Sequence, residues 1–436
     1  MSPDPDDRGD DSSGSGRGPQ QGQPFDIGQL GQMLSQLGQM LSQTRASDDG
    51  PVNYDLAKQI AVRQLAGSGG TSGADQSAAV ADAVHLAEMW LDPVTSLPAG
   101  ARTTQAWSAT DWVEKTMPTW QRLFDPVARR MAGAWVENLP EDAKQAAGPL
   151  LSMVRQMGGM AFGSQLGNAL AQLAAEVLTS SEVGLPLGAD STAALLPANI
   201  EKFTSGLERP ASEVLVFLAT REAAHQRLFT HVPWLRQRLL GTVEEFARGI
   251  KVDTVALEQL ATQIDPGNPA SIEDAMRSGL LEPQTTPEQK AALGRLETLL
   301  ALVEGWVDVV VADAVGERLP GAEALRETLR RRRASGGPAE QTFATLVGLE
   351  LRPRRLRAAA ALWRLVGDQH GIDRRDEIWT HPDLVPTAAD LDDPMEFAER
   401  LGAEPTALDD SIAELERTER GEADPPLAGP TDSDNG

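Results

Sequence analysis

The chain has 436 residues, no cysteine and a formal net charge of −25. Such a charge argues against a nucleic-acid surface, which needs Lys and Arg clustered against phosphate, and it disfavours docking on anionic lipid. Without thiols there is no disulfide framework and no thiolate metal site, which fits a reducing compartment.

The 41% apolar content is that of a globular chain; abundant Ala and Leu with few β-branched runs favour helix. No apolar run reaches membrane-spanning length and the first residues carry no apolar signal stretch, so the expected location is the cytoplasm. Residues 1 to about 24 are Asp, Ser, Gly, Pro and Gln and are expected to be disordered. Leu30 to Gln36 and Leu37 to Gln43 repeat one heptad, LGQMLSQ. Its apolar positions, 30, 33, 34, 37, 40 and 41, form a helical stripe that would dock on the body or on a partner protein. This tail, 1–50, is expected to precede a helical N-terminal domain over 51–198, a second helical domain over 199–402, and an acidic, disordered end over 403–436.

Helices are expected over Tyr54 to Leu65, Gln76 to Leu91 and Met157 to Leu178. The last carries Gly159, Gly163 and Gly167 at steps of four, a face that another backbone can approach closely; polar Ser164, Gln165 and Asn168 favour a buried soluble helix over a membrane dimer face. Trp107, Trp112, Trp120 and Trp135 are expected in the core. Residues Ser180 to Pro197 read as a loop region with room for short strands.

The next stretch carries chemistry. Ser212, after Pro210, is expected to cap a helix with Leu215, Leu218, Glu222, His225 and Phe229 along one stripe. Within it, Arg221-Glu-Ala-Ala-His225 is the pattern H-E-x-x-H with its first histidine changed to arginine. In the full pattern the two histidines share a helix face and hold Zn²⁺, and the Glu activates the metal-bound water. Downstream, a helix over Pro287 to Val315 carries Glu304 and Asp308, the spacing of a glutamate ligand and a carboxylate that orients a metal-binding histidine. Helices are also expected over Leu235 to Ile250, Val255 to Ile264, Ala322 to Arg333 and within Thr342 to Val366. His381-Pro-Asp and the acids Asp390, Asp392 and Asp393 read as turn and cap chemistry, with a cleft-lining or divalent-ion segment as the alternative.

Taken together, TREAAHQRLF, HVPWLRQRLLGTVEEFARGI, LVEGWVDVVVADAVG, LVGLELRPRRLRAAAALW and IWTHPDLVPTAADLDDP resemble the actinobacterial zincin-like family of hydrolases or zinc-dependent metalloproteases. The resemblance spans residues 51 to 400 and implies a mainly α, zincin-like metallopeptidase fold with a helical N-terminal domain. It implies Glu222 as general base, His225 and Glu304 as zinc ligands, and a peptide or protein substrate. Arg221 is the departure. A guanidinium cannot coordinate a metal, so Arg221 is expected either to replace the metal's positive charge by pairing with Glu304 or Glu222, or to swing away. His231, six residues after His225, has the spacing of a third histidine ligand, but Leu228 stands where that turn needs Gly. Two functions follow: a metallohydrolase working through Glu222, or a catalytically inactive scaffold that acts by binding partners.

Overall fold

A computed structural model of the protein describes residues 50–67, 72–137, 148–249, 286–334 and 355–402. The heptad segment 30–41, both expected tails and the expected helix Val255 to Ile264 lie outside the described residues, as does most of the 342–355 stretch.

The architecture is largely helical. In chain order the elements are α1 (Tyr54–Leu65), α2 (Ala74–Leu91), β1 (Thr103–Ala106), α3 (Ala109–Glu137), α4 (Gly148–Ala174), β2 (Thr192–Leu195), α5 (Pro197–Thr204), α6 (Ala211–His231), α7 (Pro233–Arg248), α8 (Pro287–Val315), α9 (Ala322–Ala334), α10 (Leu356–Glu377), α11 (Ala388–Asp392) and α12 (Pro394–Gly402). The core is α6 and α8. Residues Phe217 to Phe229 of α6 and Leu299 to Val311 of α8 are buried without interruption. A helix enclosed on every side has no solvent face to give to polar residues, so any polar group on it must find a partner inside. Around this pair, α2 packs on α6, α7 and α10 pack on α8, and α3 packs on α7. The apolar core runs without a break across residue 198.

The glycine face of α4 meets α1. A Cβ on Gly163 would lie 2.4 Å from the Asn53 carbonyl oxygen, so only a residue without a side chain permits that crossing. Asn53 itself starts α1, its side chain accepting from Leu56 N at 2.9 Å. Trp107, Trp112 and Trp120 are buried in the core.

Several boundaries differ from expectation. The cap of α6 is Pro210, in extended conformation, and makes no side-chain bond; Ser212 lies inside the first turn, because a proline with preset φ hands directly into the helix. On α4 the helix ends at Ala174, not 178, since Leu178 and Thr179 turn back to bond β2. Beyond Val366, α10 continues to Glu377 with a break at Gly371, whose φ is 85°. β1 was not foreseen. It pairs in parallel with β2, Thr103 opposite Thr192 through Ala106 opposite Leu195. Four residues with two threonines are too short a run to signal a strand.

Candidate functional site

α6 splits the expected site between two of its faces. Arg221 and His225, four residues apart, point toward α8 and meet Glu304 there. Arg221 Nη2 lies 2.8 Å from Glu304 Oε2, and His225 Nε2 lies 3.0 Å from Glu304 Oε1. His225 Nδ1 faces the Arg221 carbonyl oxygen at 2.9 Å. A carbonyl only accepts, so Nδ1 carries a proton. All three side chains are enclosed: Arg221 is 8% exposed, His225 1% and Glu304 3%. Phe229 stacks on the His225 ring with centroids 5.9 Å apart. Gly184, at φ 75°, closes the other side; a Cβ there would come within 3.2 Å of Glu304 Oε1.

Glu222 and Gln226, also four apart, point to β2 and the turn before it. Glu222 is fully buried. Ser180 Oγ donates to its Oε1 at 2.5 Å, Gln226 Nε2 at 3.0 Å and Ala194 N at 3.4 Å. Ser181 donates to Oε2 from its hydroxyl and from its amide, the latter at 3.2 Å. A carboxylate offers about four lone-pair sites, and five donors occupy these. Glu222 thus joins α6, β2 and the 180–181 turn through hydrogen bonds to both its oxygens.

Asp308 is bound by two arginines of α9. Arg326 of α9 grips it with Nε on Oδ1 at 2.8 Å and Nη2 on Oδ2 at 2.5 Å, and Arg330 adds a bond at 2.7 Å. Burial would push the Asp308 carboxyl up; the hydrogen bond and charge of Arg326, with the charges of Arg221 and Arg330, outweigh it and hold the group below the usual carboxylate range. His231 is exposed and bonds the Ala99 carbonyl oxygen at 3.2 Å. Asp390 and Asp393 cap helices: Asp390 with Thr387 forms the capping box of α11, and Asp393 accepts from Glu396 N at 3.2 Å.

The residue set does not suit a catalytic zinc, which takes three protein ligands and a water. Two are present, His225 and Glu304, and their facing atoms are separated by about the span of two ligands on one ion. The remaining helix position holds a guanidinium, which brings positive charge and no lone pair. Among the described residues no group of three His, Cys, Asp or Glu side chains is placed to hold a metal ion.

Ser180, Ser181, Gln226, Arg326 and Arg330 were not foreseen as parts of the site. The serines sit in an irregular turn without local pattern, and the arginines read only as a basic run; their partners are set by tertiary packing.

Comparison with known proteins gives one family and one fold. No curated protein matches the chain. Its structure is similar to that of "a putative hydrolase with a novel fold from Chloroflexus aurantiacus", with a TM-score of 0.59 and 19% identity over 81% of this chain and 99% of that one. At that identity the likeness is one of fold. The model of the zincin-like metallopeptidases matches residues 52–398, and the chain belongs to that family.

Proposed function

We propose that this chain is a non-hydrolytic member of its family, in which a buried ion-paired cluster replaces the metal centre and the protein acts by binding partners. The observation that carries this reading is the contact of Arg221 with Glu304 at 2.8 Å. The guanidinium neutralises the carboxylate that a metal would otherwise bind. Glu222 supports the same reading, since its oxygens hold a turn and a strand in place. Admitting a dication with Arg221 in place would set a buried guanidinium beside it, a repulsion of at least about 4 kcal/mol at 4 Å and an effective dielectric of 20.

A second reading is a zinc-dependent metallopeptidase with Glu222 as base, acting on a peptide or protein. Family membership favours it, as does the approach of His225 Nε2 to Glu304 Oε1 at 3.0 Å. It requires Arg221 to leave Glu304 and Glu222 to leave its serines.

Elemental mass spectrometry on the native protein beside Arg221→His separates the two. The proposal expects little zinc in the native protein and about one ion in Arg221→His, where three ligands become available. About one zinc in the native protein, lost in His225→Ala, would sink it and turn attention to peptidase assays.

A further inference from the structure

We propose that the groove between α3 and α7 binds a small polyanion, a phosphate- or polycarboxylate-bearing molecule, held between Arg122 and Arg236. Residues 118 to 129 of α3 and 233 to 244 of α7 each give one stripe to this groove, at helical steps of three and four. The groove, open to solvent along its length, has a volume of about 670 Å³, within the range of roughly 300–1,000 Å³ for ligand sites. Eleven residues of helix rise about 17 Å, which suits a small molecule. The chain's net charge of −25 also argues against a nucleic acid there.

Charge accounting within the groove points to an anion. Asp125 is spoken for: Tyr54 Oη donates to it at 2.6 Å and Arg129 at 3.0 Å. Glu244 has Arg248 at 4.0 Å. Arg122 donates to the Thr119 hydroxyl at 3.2 Å, and among the described residues it has no carboxylate partner. Arg236, 19% exposed, spends one nitrogen on the Pro186 carbonyl at 2.8 Å and another on Asp190 at 2.9 Å, a side chain 84% exposed to water. Burial lowers the Arg236 pKa, Asp190 works against that, and the charge of Arg122 lowers it further. Both guanidiniums thus line one groove, and among the described residues the only carboxylate in an ion pair with either is Asp190, itself 84% exposed. An anion with two or more oxygens aimed at both would offset the repulsion and form charge-assisted bonds.

This site is separate from the Arg221 cluster, so its test is independent of the zinc measurement. The experiment is isothermal titration calorimetry of the full chain with inorganic pyrophosphate and, in a second arm, with citrate, at low salt. Binding of either is expected to weaken about tenfold or more in Arg122→Gln and in Arg236→Gln, the loss of a charge-assisted bond. Arg331→Gln, on α9 and paired with Glu327 outside the groove, is expected to leave binding within about twofold. Preference for pyrophosphate assigns a phosphate ligand, and preference for citrate a carboxylate one. No heat with either anion, or binding that ignores both substitutions, overturns the proposal. Should Arg236→Gln fail to fold by circular dichroism, Arg122→Gln, on the exposed lip, carries the test.

Discussion

Arg221 and Arg236 lie on consecutive helices of one fold and are both mostly enclosed, with side chains 9% and 19% exposed. Arg221 meets a carboxylate that is itself 4% exposed. Arg236 meets a carbonyl oxygen and an aspartate that water already surrounds. The first charge is consumed by the interior and the second is turned toward solvent. Burial alone therefore does not say what a charged side chain is for; the state of its partner does. An enclosed partner makes a structural cluster, and a solvated one leaves electrostatic attraction for a ligand.

That contrast can be broken experimentally. The largest effect is expected from Glu304→Gln, which removes the buried carboxylate paired with Arg221; removing one partner of a buried pair costs about 3–5 kcal/mol, and urea unfolding should show it. Equal stability to the native protein would mean that Arg221 reaches water.

Glu222→Gln comes next. A general base replaced by its amide leaves a stable, inactive enzyme. A clamp with serine and amide donors on both oxygens loses charge-assisted bonds, each worth about 1.5–3 kcal/mol. A fall in the urea midpoint favours the clamp, and an unchanged midpoint with lost peptidase activity favours the base.

Acid sharpens the picture further. The Asp308 carboxyl is held below its ordinary value in the folded protein, so its contribution is present above the unfolded value of about 3.9 and is lost as pH falls through the lower, folded one. Stability measured from pH 5 down to pH 2 should drop below about pH 4, and Asp308→Asn should flatten that limb. A native limb that is unchanged in the variant would show that the α9 arginines contribute nothing there. The smallest effect is expected in the groove, where Arg122→Gln should alter stability by no more than about 0.5 kcal/mol. A loss approaching that of Glu304→Gln would erase the distinction between the two regions.

The helices were largely legible. α1 and α8 begin and end where apolar spacing and flanking residues place them, because a buried stripe at steps of three and four together with a Thr or Asn cap leaves little choice. The glycine face of α4 and the capping role of the acids near residue 390 were legible for the same local reason. The parallel pairing of β1 with β2 was not, since its partners are 89 residues apart and too short to show alternation.

In the site, sequence alone determined that Arg221 and His225 share a face of α6, by helical geometry, whereas the stripe expected to carry both Glu222 and His225 is split between two faces. It also determined that Arg221 cannot bind a metal, which follows from the chemistry of a guanidinium. Only the tertiary structure decided which face met which neighbour. It placed Glu304 against Arg221 and His225, two serines against Glu222, and two arginines of α9 against Asp308. A helix periodicity fixes directions around its own axis; which neighbour fills each direction is set by packing among elements far apart in the chain.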